Sequence, residues 1–172
     1  MNTEKSKVTS IFAQKKFKFL GFCLGRTGSG TYIRVHRKSL AKAKEKLKLL
    51  TKRNRGRNVR RVMQEVKEFI RGWIGYFRAA DMKRTLMSWD KWMRRRFRMY
   101  IWKQWKKSKT KVANLRKLGI PVDQTYQWGN SRLGHWRIAS SPVLQCSITN
   151  ERLAAAGYFS ILNYYESLHL CG

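Results

Sequence analysis

The stretch that most constrains the fold runs from Asn58 to Lys107, where one device occurs twice: a stripe of aromatic and aliphatic side chains at helical spacing, backed by arginine and lysine. Val59, Val62, Val66, Phe69, Trp73 and Phe77 recur at steps of three and four, which places them on one side of a helix. Leu86, Trp89, Met93, Phe97, Tyr100 and Ile101 repeat the pattern. The other faces of this second helix carry Lys91, Arg94, Arg95, Arg98, Lys103 and Lys106, and Arg96 completes an unbroken run of three arginines. Two such helices must bury their stripes against each other or a neighbour, and their basic sides suit an acidic polymer.

Charge names the class of partner. Lys and Arg number 39 against 9 Asp and Glu in 172 residues, a formal charge of +30. That is far beyond the magnitude of about 2 to 8 that keeps a small domain soluble. Neutralising phosphates releases counterions, so a polyanion is the expected partner. The charge is also localised: between Arg34 and Lys117 there are 30 basic and 5 acidic residues. From Leu118 onward Arg132, Arg137 and Arg152 balance Asp123, Glu151 and Glu166, so the tail is expected to be a different working part.

Other chemistries find little support. Cys23, Cys146 and Cys171 are far apart, and neither a zinc site nor a disulfide framework follows from their spacing. His36, His135 and His169 are equally scattered and read as surface or packing residues. No metal site and no cofactor is expected. The first twenty residues lack an apolar signal core, and no run approaches the roughly 18 apolar residues of a membrane helix. A cytoplasmic protein without a membrane partner is the expectation.

Taken in order, residues 1–16 read as a frayed lead-in. Phe17 to Leu24 and Thr31 to Arg37 read as two strands of a β-hairpin across the turn GRTGSG. The first strand is apolar on both alternating faces, the pattern of a strand covered on both sides, yet the rest of the chain supplies helices. Part of its surroundings is therefore expected to come from elsewhere. Ser39 is placed to cap a helix from Leu40 to about Lys52, with Leu40, Ala43, Leu47 and Leu50 inward and Lys42, Lys44, Lys46 and Lys48 outward.

The loop TKRNRGRN follows, and its Arg53, Arg55 and Arg57, with Arg60 and Arg61 beyond, are candidate phosphate grips. Asn58 caps the next helix, of about 22 residues, in which Gly72 and Gly75 suit the close approach of another helix or of a nucleic-acid backbone. After a break at Ala80 and Asp81, the second aromatic helix carries four tryptophans between positions 89 and 105, too many for one stripe. Trp89 and Trp92 read as core. Trp102 and Trp105, among Lys103, Lys106 and Lys107, stand open between packing and stacking on bases.

A short basic helix over Ser108 to Leu118 is stopped by LGIP. Beyond it, Asp123 is expected to cap a turn ending at Gly129, Ser141-Pro142 to start one helix, Thr149 another ended by Gly157, and Ser160 the last. The segment GNSRLGHWRIASSP, with Arg132 and Arg137, reads either as a recognition loop or as a buried linker.

FKFLGF with its glycine-rich turn, FIRGWIGYFR, WDKWMRRRFRMYIWKQWK, LRKLGI, GNSRLGHWRIASSP and TNERLAAAGYFSILNYYESLH fall in one order over Phe17 to His169. Together they resemble the C-terminal part of bacterial group II intron reverse transcriptase/maturases. The resemblance implies a residual palm hairpin over 1–37, a thumb-like, maturase-specific helical domain over 38–117, and a small DNA-binding-like lobe over 118–172. It also implies a thumb that grips template-primer duplex and intron RNA and helps the ribozyme fold for splicing.

The family's magnesium-binding Y-x-D-D turn is missing here, and Asp81, Asp90 and Asp123 lie in helical or linker contexts. The chain alone is expected neither to polymerise nor to cut, and it looks like a truncated reading frame or one half of a split enzyme. The fold class expected is mainly α: an N-terminal β-hairpin, a basic three-helix thumb-like bundle, then short helices. The function expected is an RNA-binding maturase module. Its partner is group II intron RNA, with target DNA and a separate fingers-palm polymerase fragment as further candidates. The alternatives are a trans-acting subunit completing a split reverse transcriptase, or a non-functional remnant.

Overall fold

The computed structural model describes residues 18–28 and 30–170. The expected lead-in over 1–16, Phe17 and Cys171 lie outside them. Two antiparallel strands, β1 (Phe22–Thr27) and β2 (Gly30–Val35), pair Phe22 with Val35 at one end and Thr27 with Gly30 at the other. The first strand thus sits later than Phe17 to Leu24, and the second ends before Arg37.

Local geometry explains the shift. Leu20 (φ 49°) and Gly21 (φ 87°) both adopt left-handed backbone, which folds Phe19 back onto Phe22 through two backbone hydrogen bonds of 3.1 and 2.8 Å. A Cβ at Gly21 would also lie 3.0 Å from the Phe77 ring, so the bend needs glycine twice over. The hairpin is covered mainly at its base, where Val35 is buried. Cys23 is buried and Phe22 packs 5.0 Å from the Phe77 ring, whereas Phe19, Leu20, Leu24 and Ile33 are exposed.

The first helix, α1 (Arg37–Leu50), starts two residues before the expected cap. The His36 imidazole takes the capping role, accepting from the Lys38 amide at 3.2 Å, and Ser39 Oγ instead donates to the Gly21 carbonyl at 3.3 Å. Ala43 and Leu47 point into the core. In α2 (Val59–Phe77) Asn58 accepts from the Arg60 amide at 2.8 Å, as a cap should. Its buried face is Val62, Met63, Val66, Ile70, Ile74 and Phe77, so the stripe drifts and leaves Phe69 and Trp73 on its edge. Gly72 and Gly75 face open space, so among the described residues no helix uses them for close approach.

Helix α3 (Lys83–Gln104) buries Leu86, Trp89, Met93, Phe97 and Tyr100 as its spacing predicts, with Trp89 5.3 Å from Trp73 of α2. Short helices follow: α4 (Ser108–Lys117), α5 (Val122–Gly129), α6 (His135–Ile138), α7 (Pro142–Ser147), α8 (Asn150–Ala155) and α9 (Ile161–Leu170). Pro121, not Asp123, holds the cap position of α5, and Asp123 sits in its first turn. Ser141, Thr149 and Ser160 each accept from an amide three residues on, at 3.4, 3.3 and 3.3 Å. Gly157 (φ 104°) closes α8: its amide bonds to the Ala154 carbonyl and the Tyr158 amide to that of Leu153, both at 2.9 Å. Helix α6 packs on α3, and α9 returns to pack on α2 and α3. One hydrophobic core therefore runs from Val35 through Leu86 and Leu144 to Tyr165.

Candidate nucleic-acid interface

The arginine run of α3 is where charge and packing meet. Successive helical residues point about 100° apart, so neighbouring arginines reach different elements. Arg94 pairs with the Asp90 carboxylate one turn back. Arg95 donates to the Trp136 carbonyl at 2.8 Å and lies 4.0 Å over that indole ring. Arg96 is buried and caps the end of α1, donating to Thr51 Oγ1 and to the Lys48 and Thr51 carbonyls, the last two at 3.0 and 3.2 Å. Arg98 is buried too, donating to the Ile148 carbonyl at 2.8 Å and Asn150 Oδ1 at 3.1 Å.

Burial pushes the pKa of Arg96 and Arg98 down, yet a guanidinium keeps its charge in a protein. Arg98 is thus a structural bolt, its guanidinium held by Ile148 and Asn150. With exposed Lys91, the residues Arg94, Arg95 and Arg98 line a groove of about 480 Å³ between α3 and the segment carrying Ser140, Gln145 and Thr149.

The loop between α1 and α2 is also committed to the frame. Arg55 and Arg57 both bond the Glu65 carboxylate of α2, with Arg61 at 3.7 Å. Burial raises the Glu65 pKa, but Arg57 and Arg55 outweigh it and hold the group below its ordinary value. The Arg57 carbonyl accepts from Tyr100 Oη at 2.7 Å and Gln104 Nε2 at 2.9 Å. Arg55 and Arg57 therefore fix the loop, while Arg53, Arg60 and Arg61 stay exposed.

What the fold brings together is a cationic cluster from four segments. Burial, followed by the charges of Arg53 of the loop, Lys103 of α3 and Lys111 of α4, pushes the imidazole pKa of His135 at the start of α6 down. Lys111 Nζ also lies 4.9 Å over the Trp102 ring. Trp102 is 2% exposed and belongs to the core, while Trp105, 5.8 Å from it, is half-buried. Lys103, Lys106 and Lys107 remain exposed around the turn into α4, as do Arg132 and Arg137 near α6.

Sequence spacing misses Lys111 and His135 as members of this cluster, because only tertiary packing sets them beside Arg53. GNSRLGHWRIASSP is neither a pure loop nor a pure linker: Ile138 and Ala139 are buried, and Trp136 and Arg137 are exposed. Among the described residues no group of three His, Cys, Asp or Glu could hold a metal ion, and no helix is long and apolar enough to cross a membrane.

Fixed cations on a rigid frame, with lysines free to move around them, can neutralise a ribose-phosphate backbone and hold its shape. Residues 40–119 match the family model described as group II intron, maturase-specific domain. No curated protein matches the chain.

Proposed function

We propose that this chain, which carries a group II intron maturase-specific domain, binds structured group II intron RNA and stabilises its fold for splicing without covalent chemistry of its own. The observation that carries the proposal is the set of cations gathered at the end of α3: Lys111 Nζ seated 4.9 Å over the Trp102 ring, with exposed Arg53 and Lys103 near enough to act on His135. The loop before α2, the α3–α4 junction and the start of α6 are brought together there by the fold, which suits a folded polyanion better than an unstructured one. Each phosphate neutralised should lower log K by about 0.7 to 0.9 per decade of salt.

The test is binding of the purified chain to a structured group II intron RNA and to a length-matched scrambled RNA across a salt series, with circular dichroism on the same sample. A helical protein that prefers the intron RNA at moderate salt supports the proposal. Equal, salt-labile affinity for both refutes intron recognition and leaves a generic polycation.

A second reading has its own observation. Exposed Phe19, Leu24 and Ile33, with Phe22, Cys23 and Ala79, line an apolar cavity of about 330 Å³ beside the hairpin. Such a surface suits pairing with a separately made fingers-palm polymerase fragment. Mixing the two should restore DNA synthesis, and unchanged activity would dismiss it.

A further inference from the structure

A second recess lies on the other side of the arginine run. Helix α1 and the α3–α6 junction enclose about 590 Å³, lined by Lys44, Glu45, Lys48, Trp92 and Trp136. Trp92 packs on the edge of the core, and the cluster around His135 uses none of the five side chains. Both indoles are held in place by cations. Arg95 covers one face of Trp136 at 4.0 Å while itself bonded to the Trp136 carbonyl. Arg96, fixed by its bonds to α1, lies 5.0 Å over Trp92, and Lys44 Nζ lies 5.5 Å over the same ring. Trp136 is nevertheless 38% exposed. An aromatic platform that is immobilised yet open has lost little freedom left to lose on binding, which favours a planar ligand.

The rim decides which planar ligand. Lys44 and Lys48, one helical turn apart on the exposed side of α1, offer two cations at a spacing that can follow a phosphate backbone. Glu45 is acceptor-only when ionised, with two oxygens side by side. Among the four RNA bases only guanine presents two adjacent donors, N1–H and N2–H₂, on its Watson–Crick edge. Adenine and cytosine place one donor beside a ring acceptor, which a carboxylate repels, and uracil sets its single N3–H between two carbonyls. A base inside a duplex has neither its faces nor this edge free, so the ligand must be unpaired.

We propose that this recess takes a single unpaired guanine of RNA, stacked on Trp136, with Glu45 on its N1–H and N2–H₂ edge and Lys44 and Lys48 on the flanking phosphates. The inference rests on the RNA-binding reading above and deepens it by naming the nucleotide. It adds a base-reading element to an electrostatic one.

The experiment uses the full chain and one fluorescein-labelled RNA hairpin in four forms: fully paired, or with a single bulged guanine, uracil or abasic residue. The guanine bulge should bind about tenfold tighter than the paired and abasic forms, equivalent to about 1.4 kcal/mol. Trp136→Ala should bring the guanine bulge down to the paired affinity and leave the paired hairpin unchanged, whereas Trp136→Phe retains most of the gain. Glu45→Gln should reduce the preference for guanine over uracil and spare the advantage over the abasic form.

Equal affinity for guanine and abasic bulges overturns the proposal. So does a Trp136→Ala loss that is the same on all four hairpins, which would mark the residue as structural. A chain that prefers intron RNA over its scramble while ignoring the bulge refutes the recess alone. A chain without that preference refutes the broader function.

Discussion

Asp90 is the position at which a single change should cost the fold most. It is 3% exposed on α3, and its carboxylate accepts from Tyr158 Oη at 2.6 Å, the Ile161 amide at 3.0 Å, Ser160 Oγ at 3.4 Å and the Arg94 guanidinium. It thereby caps α9 from outside the helix and ties the C-terminal end to the middle of the chain. Burial and the adjacent carboxylate push the Tyr158 pKa up, so the phenol stays a donor throughout.

Asp90→Ala would leave two buried donors unpaired, at about 1 to 3 kcal/mol each, and strand a partly buried cation at Arg94. Removing one partner of a buried pair costs about 3 to 5 kcal/mol. The Arg94 side chain keeps 22% of its exposure, which argues for the lower end. At about 3 kcal/mol the thermal midpoint should drop by about 6 to 12 °C for a domain of this size. Tyr158→Phe removes one charge-assisted bond and should cost about 1.5 to 3 kcal/mol. Because the two residues touch, the double variant should lose less than the sum. Urea unfolding followed by circular dichroism measures all three. A loss below about 0.5 kcal/mol for Asp90→Ala, or strict additivity in the double variant, would refute the reasoning.

The remaining expectations concern charge. Arg96→Lys keeps the charge but not the planar fork that reaches Thr51 and Lys48, so it should destabilise by about 1 to 3 kcal/mol in the same urea assay. Glu65 has a folded pKa below its ordinary 4.5. Its contribution is therefore complete above that value and lost as pH falls through the folded pKa, and the stability gap between the wild type and Glu65→Gln should shrink over that acid limb. The His135 pKa is lowered as well, by burial and then by its cationic neighbours: Lys103→Glu should raise it toward 6.5, read by NMR titration, and RNA bound at the cluster should raise it too. An imidazole pKa that ignores RNA would place the binding face elsewhere.

The long helices were legible because their stripes repeat over several turns: Leu86, Trp89, Met93, Phe97 and Tyr100 point inward as their spacing requires. Caps made by Asn58, Ser141 and Thr149 were legible because their side chains bond within three residues. The start of α1 was not, since His36 competes with Ser39 and wins only because Ser39 is drawn to the Gly21 carbonyl.

The site was legible in charge and not in role. Nothing local separates Arg95 from Arg96 or Arg98, because which of them is consumed depends on Thr51, Ile148 and Asn150, up to 52 residues away. Nor does spacing separate Trp102, buried where α3 is covered on nearly every side, from Trp105, half-buried just past its end.

The arginine bolts also divide labour between two amino acids that a charge count treats as equal. Around α3, arginine forks reach carbonyls and carboxylates in geometries that a lysine ammonium does not reproduce. The lysines of α1 and of the turn into α4 stand in solvent. Drift among those lysines is therefore cheap so long as their number holds, and it can retune affinity for a changing RNA. The arginines are held by architecture, so the parts of this surface that look most like a polyanion site are the parts least free to evolve with one.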